Sequence, residues 1–317
     1  MNRLSWMVAL ASLAAFHAAA WQQPTGKDLS WAFQVPDKTP PPGAGEAGPK
    51  QVPGSSKTYT PAQIEDLFAP PDWFPDEHPP APSIVVAGKK PTGMACGSCH
   101  LMSGRGHPES ADLAGMAPGY LIQQMADFKS GARRDSAPMN GIAKATSDDD
   151  ARQASEWFAA FKPALIWTKV VEAGTVPKTW VNRGRMRFAL PGGATEPLGN
   201  RIITVPQDPE RIENRDPHIG FIAYVPFGSL KLGEALVKTG GSGKTVQCGI
   251  CHGPDLKGLG EIPRIAGVHP IYIARQLYNF KSGANGGVQA VLMKQVVTQL
   301  SDQDIIALAA YVGSLAP

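Results

Sequence analysis

Two Cys-X-X-Cys-His pentapeptides, Cys96-Gly97-Ser98-Cys99-His100 and Cys248-Gly249-Ile250-Cys251-His252, use every cysteine of the chain. This is the attachment signature of c-type haem. Two thiols separated by two residues add across the two vinyl groups of one porphyrin, and the adjacent histidine reaches the iron from the proximal side. A single copy would also suit a zinc or thiol-redox protein. A duplicate that leaves no cysteine over argues against both, and it leaves no pair for a structural disulfide. The chain must therefore fold twice around a large flat cofactor.

The duplication extends well beyond the motif. At a constant offset of 152, Ala114-Gly115 falls on Ala266-Gly267, Pro118 on Pro270, Tyr120 on Tyr272 and Gln124 on Gln276. Phe128-Lys129-Ser130-Gly131-Ala132 falls on Phe280-Lys281-Ser282-Gly283-Ala284. Each stretch reads as a helix opening at proline and closing at glycine. The second copy then gains two residues, and at offset 154 Met139 meets Met293, Ser147-Asp148 meets Ser301-Asp302, and Trp157 meets Tyr311. Each Ser-X-X-Asp predicts a capped closing helix. In the second copy Ile305, Leu308, Ala309 and Val312 share one face, which should pack inward. Each repeat is thus a small helical unit whose cofactor supplies much of its core.

The expected architecture is mainly α: two helical haem domains in tandem, 81–165 and 229–317, joined by a long irregular connector, 166–228, with short β strands. Ile202-Ile203-Thr204-Val205 and Phe221-Ile222-Ala223-Tyr224-Val225 are the expected strands. Residues 1–20 have the parts of a secretory signal: Arg3, an apolar run to Phe16 and Ala18-Ala19-Ala20, with cleavage expected before Trp21. That run is short for a membrane span, and none of spanning length follows. Residues 21–80 form a proline-rich segment. Fourteen of the 30 prolines lie between Pro36 and Pro91, which excludes long helices there. A short helix is expected at Pro61 to Phe68, and the segment has two readings: a flexible leader, or a strap packed over a haem domain by Trp73 and Phe74. The net charge of +3, from 30 basic and 27 acidic residues, gives no ground for a nucleic-acid partner. Gly240 to Thr245 resembles the end of a phosphate loop, but Lys238 stands where its first glycine is required.

The sixth iron ligand separates carrier from enzyme: a methionine sulfur raises the potential and closes the iron, whereas an open position admits a substrate. Of nine methionines only Met139 and Met293 occupy corresponding places. They are the expected partners of His100 and His252. Met102, Met116 and Met125 face Pro254, Val268 and Leu277 in the other copy and read as packing residues. His78, His107, His218 and His269 have no matched partners and are the competing ligands. Arg183, Arg185 and Arg187 of the connector are candidates for the haem propionates, although a solvated basic loop is the commoner use of such residues. Lys89, Lys90, Lys244 and Lys257 flank the motifs, either as a solvated face or as a docking surface for an acidic partner.

These residues resemble the class I cytochrome c family, and their tandem arrangement is similar to the dihaem cytochromes of the c-four type. The resemblance rests on both haem motifs, the Ala-Gly pairs, the Tyr120 and Tyr272 helices with their Phe-Lys-Ser-Gly-Ala ends, the late methionines and the closing Leu-Ala-Ala-Tyr of residues 308–311. It covers about half the chain. It implies two covalent haem c groups on Cys96/Cys99 and Cys248/Cys251, His/Met ligation, and one-electron transfer in the periplasm with redox partner proteins, a periplasmic dehydrogenase or a terminal oxidase or reductase. The alternatives are the haem subunit of a periplasmic dehydrogenase complex and, more remotely, a dihaem peroxidase, which would need dissimilar iron sites. The strap, the shortened opening of the first repeat and the long connector depart from the family pattern and bear on whether the two haems face each other.

Overall fold

A computed structural model describes residues 28–38, 48–134, 138–163 and 168–317. The expected signal at 1–20 lies outside them. The proline-rich segment packs as a strap. Its first helix, α1 (Pro61–Ile64), opens with a capping box between Thr60 and Gln63. Trp73 is buried, meets Tyr59 edge-on and donates its indole N–H to the Asn214 carbonyl at 2.7 Å. Phe74 lies against the His218 ring, with centroids 4.0 Å apart. Two aromatic anchors fix a segment that proline bars from long helices, and they hold it as a strap against Asn214 and His218 of the connector rather than directly on a haem domain.

The short helix α2 (Ser83–Val86) then leads into α3 (Gly97–His100), which carries the first haem motif. Next come α4 (Pro118–Ser130), α5 (Met139–Ala145) and α6 (Asp148–Ala159). The second repeat runs in the same order: α8 (Ser229–Thr239), α9 (Gly249–His252), α10 (Pro270–Ser282), α11 (Ala290–Val297) and α12 (Asp302–Ser314). Helices α4 and α10 start at proline and end on Gly131 and Gly283, whose φ values of 81° and 76° are the left-handed geometry that favours glycine. The repeats differ most at their opening helix, four residues in α2 against eleven in α8.

Helix α8 crosses α12 at Gly233, where a methyl group would collide with the Ala307 carbonyl and the Tyr311 side chain. Only hydrogen fits between the backbones. Gly233→Val should therefore destabilise the holoprotein by about 1–3 kcal/mol or more, read as a lower urea midpoint with an unchanged slope. Gly240 closes α8, and Lys244 in the turn beyond it reaches the Asp304 carboxylate at 3.1 Å. The glycine-rich turn is a helix terminus with an ion pair.

Both closing helices carry their expected caps. Ser147 accepts from Asp150 N–H, and Ser301 forms a reciprocal box with Asp304. Burial works against ionisation of Asp304, but bonds from Ser301 and Lys244 outweigh it and hold its carboxyl below the ordinary 3.8. A carboxylate with a lowered folded pKa stabilises above its unfolded value, and that contribution fades as pH falls through the folded value. Asp304→Asn should flatten the acid limb of the stability–pH curve, measured by thermal melts below neutrality.

The connector is more ordered than the expected two strands. β1 (Thr168–Glu172) runs parallel to β7 (Phe221–Val225), which pairs antiparallel with β6 (Ile203–Pro206). β2 (Thr175–Pro177) pairs with β5 (Thr195–Pro197), and β3 (Thr179–Val181) with β4 (Arg187–Ala189). Helix α7 (Pro209–Glu213), capped by Asp208, precedes β7. Ala223 and Val225 of β7 join the core formed by α8, α10 and α12, whereas Phe221 packs with Leu101 of the first repeat, Phe188 and Ile212. One strand thereby ties both repeats together. Trp31 and Phe33 cover Tyr278 of α10 from the N-terminal side.

Candidate haem site

In each repeat the motif makes a single helical turn that holds both cysteines on one rim of a cleft. His100 and His252 are buried and line one continuous cavity of about 470 Å³, together with Cys96, Cys99, Cys248 and Cys251. The Nδ1–H of His100 donates to the Ala111 carbonyl at 2.8 Å, and that of His252 to the Pro263 carbonyl at 2.8 Å, positions again 152 apart. A carbonyl can only accept, so it assigns the tautomer and leaves Nε2 unprotonated for a metal. Burial lowers both imidazole pKa values, with the carbonyl bonds opposing. Each ring is therefore neutral at pH 7, the form that ligates iron.

Across the cleft, Met139 opens α5 directly after Pro138, and Met293 sits midway along α11. Both line the same cavity. Met94, Met116 and Met125 line it too, and at their places the second repeat offers Val246, Val268 and Leu277. Those positions need apolar bulk; only at Met139 and Met293 does sulfur recur. None of the competing histidines lines the cavity. His269 is fully buried against Thr168 Oγ1 at 2.8 Å and the edge of Phe221. His107 bonds Ser110 Oγ and the Glu109 N–H, while His78 and His218 pair with Asp72 and Glu77 around the strap. Among the described residues no group of three or more His, Cys, Asp or Glu side chains is arranged to hold a metal ion.

A donor set of two thiols and one tautomer-fixed imidazole per cleft, between walls of Leu121, Phe128 and Phe158 in the first repeat and Leu277, Phe280 and Leu308 in the second, fits haem c. The burial that raises the thiol pKa values, Cys96 to about 12 and Cys248 to about 11, marks the apolar ground in which a porphyrin edge would lie.

None of Arg183, Arg185 and Arg187 is among the residues lining this cavity. Arg183 is exposed, and Arg187 turns to Thr179 Oγ1 and the Ser30 carbonyl. A basic run in a loop carries no information on its direction, which here is set by the β3–β4 hairpin. Arg133 and Arg264 line the cavity instead. Arg133 bridges the repeats, donating to Gln124 of α4 at 2.6 Å and to Gln276 and Tyr272 of α10 at 2.8 and 3.2 Å. Nearby, burial pushes the Tyr120 phenol up to about 12, so it stays a donor. Arg264 donates to Asp112 at 2.7 Å in a pair that is almost fully buried. These two residues are themselves 152 apart, and each follows the carbonyl that orients a haem-motif histidine.

Around them the repeats touch through matching residues. Arg134 N–H donates to the Ala284 carbonyl at 2.8 Å, and its counterpart Gly286 N–H to the Ala132 carbonyl at 2.9 Å. This reciprocity is the contact pattern of a two-fold interface. The two clefts open onto each other across it.

The likeness to known proteins agrees with this arrangement. A family model described as Cytochrome c matches residues 231–316. The chain is 26% identical over 235 residues to cytochrome c4 of Azotobacter vinelandii, covering 69% of this chain and 84% of that protein. It is 25% identical over 231 residues to the thiosulfate dehydrogenase electron acceptor of Thiomonas intermedia (strain K12), covering 72% and 82%. Cytochrome c-554(548) of Halomonas halodenitrificans is 36% identical over 75 residues, 23% of this chain and 90% of that protein. With two haem motifs in matching clefts and relatives at these levels, the chain belongs to the cytochrome c family.

Proposed function

We propose that this chain is a dihaem c-type cytochrome that passes single electrons between redox proteins in the periplasm, after export through residues 1–20. Two cytochrome c-like domains, 81–165 and 229–317, each hold one haem. Cys96 with Cys99, and Cys248 with Cys251, would hold the two haems covalently through their thiols. His100 with Met139, and His252 with Met293, would ligate the two irons. When bound, the haem supplies a one-electron iron couple. The protein's own part is to fix both ligands, exclude water with apolar walls and set the potential through the Nδ1–H bonds and nearby charge.

The observation that carries this reading is the matched placement of one motif histidine and one methionine from each repeat on a shared cavity. It also speaks against a peroxidase, which needs one iron with an exchangeable ligand. The relatives named as electron acceptors of thiosulfate dehydrogenase favour a second form of the same role, a haem subunit receiving electrons from a periplasmic dehydrogenase.

The test is a redox titration of the purified holoprotein with low-temperature paramagnetic resonance. Two low-spin ferric signals of His/Met type, each lost on one-electron reduction, are expected. A high-spin or bis-histidine signal, or peroxide turnover, would overturn the carrier reading.

A further inference from the structure

Helix α7 of the connector ends in a Schellman turn. Asp216 N–H donates to the Arg211 carbonyl and Arg215 N–H to the Ile212 carbonyl, both at 2.9 Å. The left-handed residue that ends a helix in this way is usually glycine, as Gly131, Gly240 and Gly283 are after α4, α8 and α10. After α7 it is Arg215, at φ 58°. A side chain is costly in that conformation, so this one must return something through its contacts.

Its guanidinium donates to the carbonyl of Ser98, the residue before Cys99 in the first haem motif. The single turn of α3 leaves that oxygen without an intrahelical donor. Ser98 is 2% exposed and Arg215 is half-buried. Burial lowers the Arg215 pKa, yet a guanidinium keeps its charge. Among the described residues no carboxylate pairs with it. Asp216 is held by Arg211 at 2.6 Å, and Glu65 of the strap, which attracts Arg215, is itself exposed. Of the other groups on this side, Arg105 donates to the Pro217 carbonyl at 2.8 Å, and His107 is kept neutral by burial, His269 and Arg215. The second motif has nothing equivalent. Ile250, in the place of Ser98, is 67% exposed, and no side chain among the described residues donates to its carbonyl. Asp255, Lys257 and Glu261 beyond it are exposed and screened by water and salt, while Arg264 is neutralised by Asp112.

We infer that Arg215 sets the reduction potential of the first haem: its cation, held on the Ser98 carbonyl by the end of α7, makes that haem easier to reduce and leaves the second unaffected. This rests on the dihaem carrier reading and adds to it a residue that lies outside both repeats. Reduction removes one positive charge from the iron centre, so a fixed cation beside the motif favours the reduced form. Arg215 does so without being a ligand. The connector thereby gives two clefts with matching donor sets different affinities for the electron.

The test is a redox titration of variant holoproteins, with the first haem's couple identified as the one that Met139→Ala displaces. Arg215→Gly removes the charge and the backbone strain together, so a loss of fold is not expected to obscure the result. It should lower the reduction equilibrium constant of the first haem by about tenfold, ~59 mV for a one-electron couple, and leave the second in place. Arg215→Asn, neutral and tolerant of the same backbone, should do the same. Arg215→Lys keeps both charge and strain and should restore most of the original value. Lys257→Gln, exposed beyond the second motif, should move neither couple. If Arg215 were only structural, the glycine variant would change the urea midpoint and neither potential. That result, an equal shift of both couples, or a lysine variant that behaves like the glycine one would overturn the inference. A wild-type protein without two one-electron couples fails as a dihaem carrier, whereas two couples indifferent to Arg215 fail only here.

Discussion

Met139→Ala and Met293→Ala should each remove half of the far-red sulfur-to-iron absorption band of the oxidised holoprotein, and the double variant should remove all of it. The expected loss is large because thioether ligation is what the band reports and each repeat offers one methionine in the matched position. Each variant should also lower the potential of its own haem and leave the other close to its original value, since methionine ligation raises the potential. Met116→Leu is the control: it alters the cavity wall next to the same haem, and Val268 already fills that place in the other repeat. If the band survives in the double variant, or disappears with Met116→Leu, the ligands have been assigned to the wrong sulfurs.

The second large effect is expected at the Asp112–Arg264 pair. Both side chains are nearly inaccessible to water, and the guanidinium also reaches the Ala266 and Ala114 carbonyls at 2.7 and 3.4 Å. Arg264→Met alone leaves a buried carboxylate with its principal partner gone and should cost about 3–5 kcal/mol. Asp112→Leu added to it should recover most of that loss, because an apolar pair owes no desolvation penalty. Urea melts of the four holoproteins close the cycle. Losses that simply add would show that the two groups do not depend on each other. The same pair has an electrical effect. Asp112 adjoins the carbonyl that orients His100, so Asp112→Asn removes negative charge beside the first haem and should raise that haem's potential more than the second's. A titration of the variant reads the difference.

What the sequence revealed was whatever the repeat made redundant. Pro118 and Gly131, Pro270 and Gly283, and the Ser-X-X-Asp caps are local signals, and the helices begin and end where they stand. Met139 and Met293 are singled out in the sequence because sulfur recurs only there, and both line the cavity. What stayed hidden depended on contacts between distant segments. The parallel pairing of β1 with β7 joins residues more than 50 positions apart, and Thr168 to Glu172 carry no turn signal that announces a partner. The strap could be read either way until Trp73 found the Asn214 carbonyl, because proline composition fixes extension and not destination. Arg264 had a signal that went unused: at offset 152 it faces an aspartate, a charge reversal inside an otherwise conservative repeat. Arg133 had none, since its partners lie on both repeats.

That charge reversal has a bearing on descent. Where two identical chains meet about a two-fold axis, a residue near the axis confronts its own duplicate, so a buried aspartate there would face an aspartate and an arginine an arginine. Neither could be kept in a dry interface. The bonds of Arg134 and Gly286 are reciprocal, as in such a pairing, whereas Asp112 and Arg264 can pair only because the two halves differ in sequence at this position. Severed at the connector, each half would carry one member of the pair, and two copies of the same half could not close on each other.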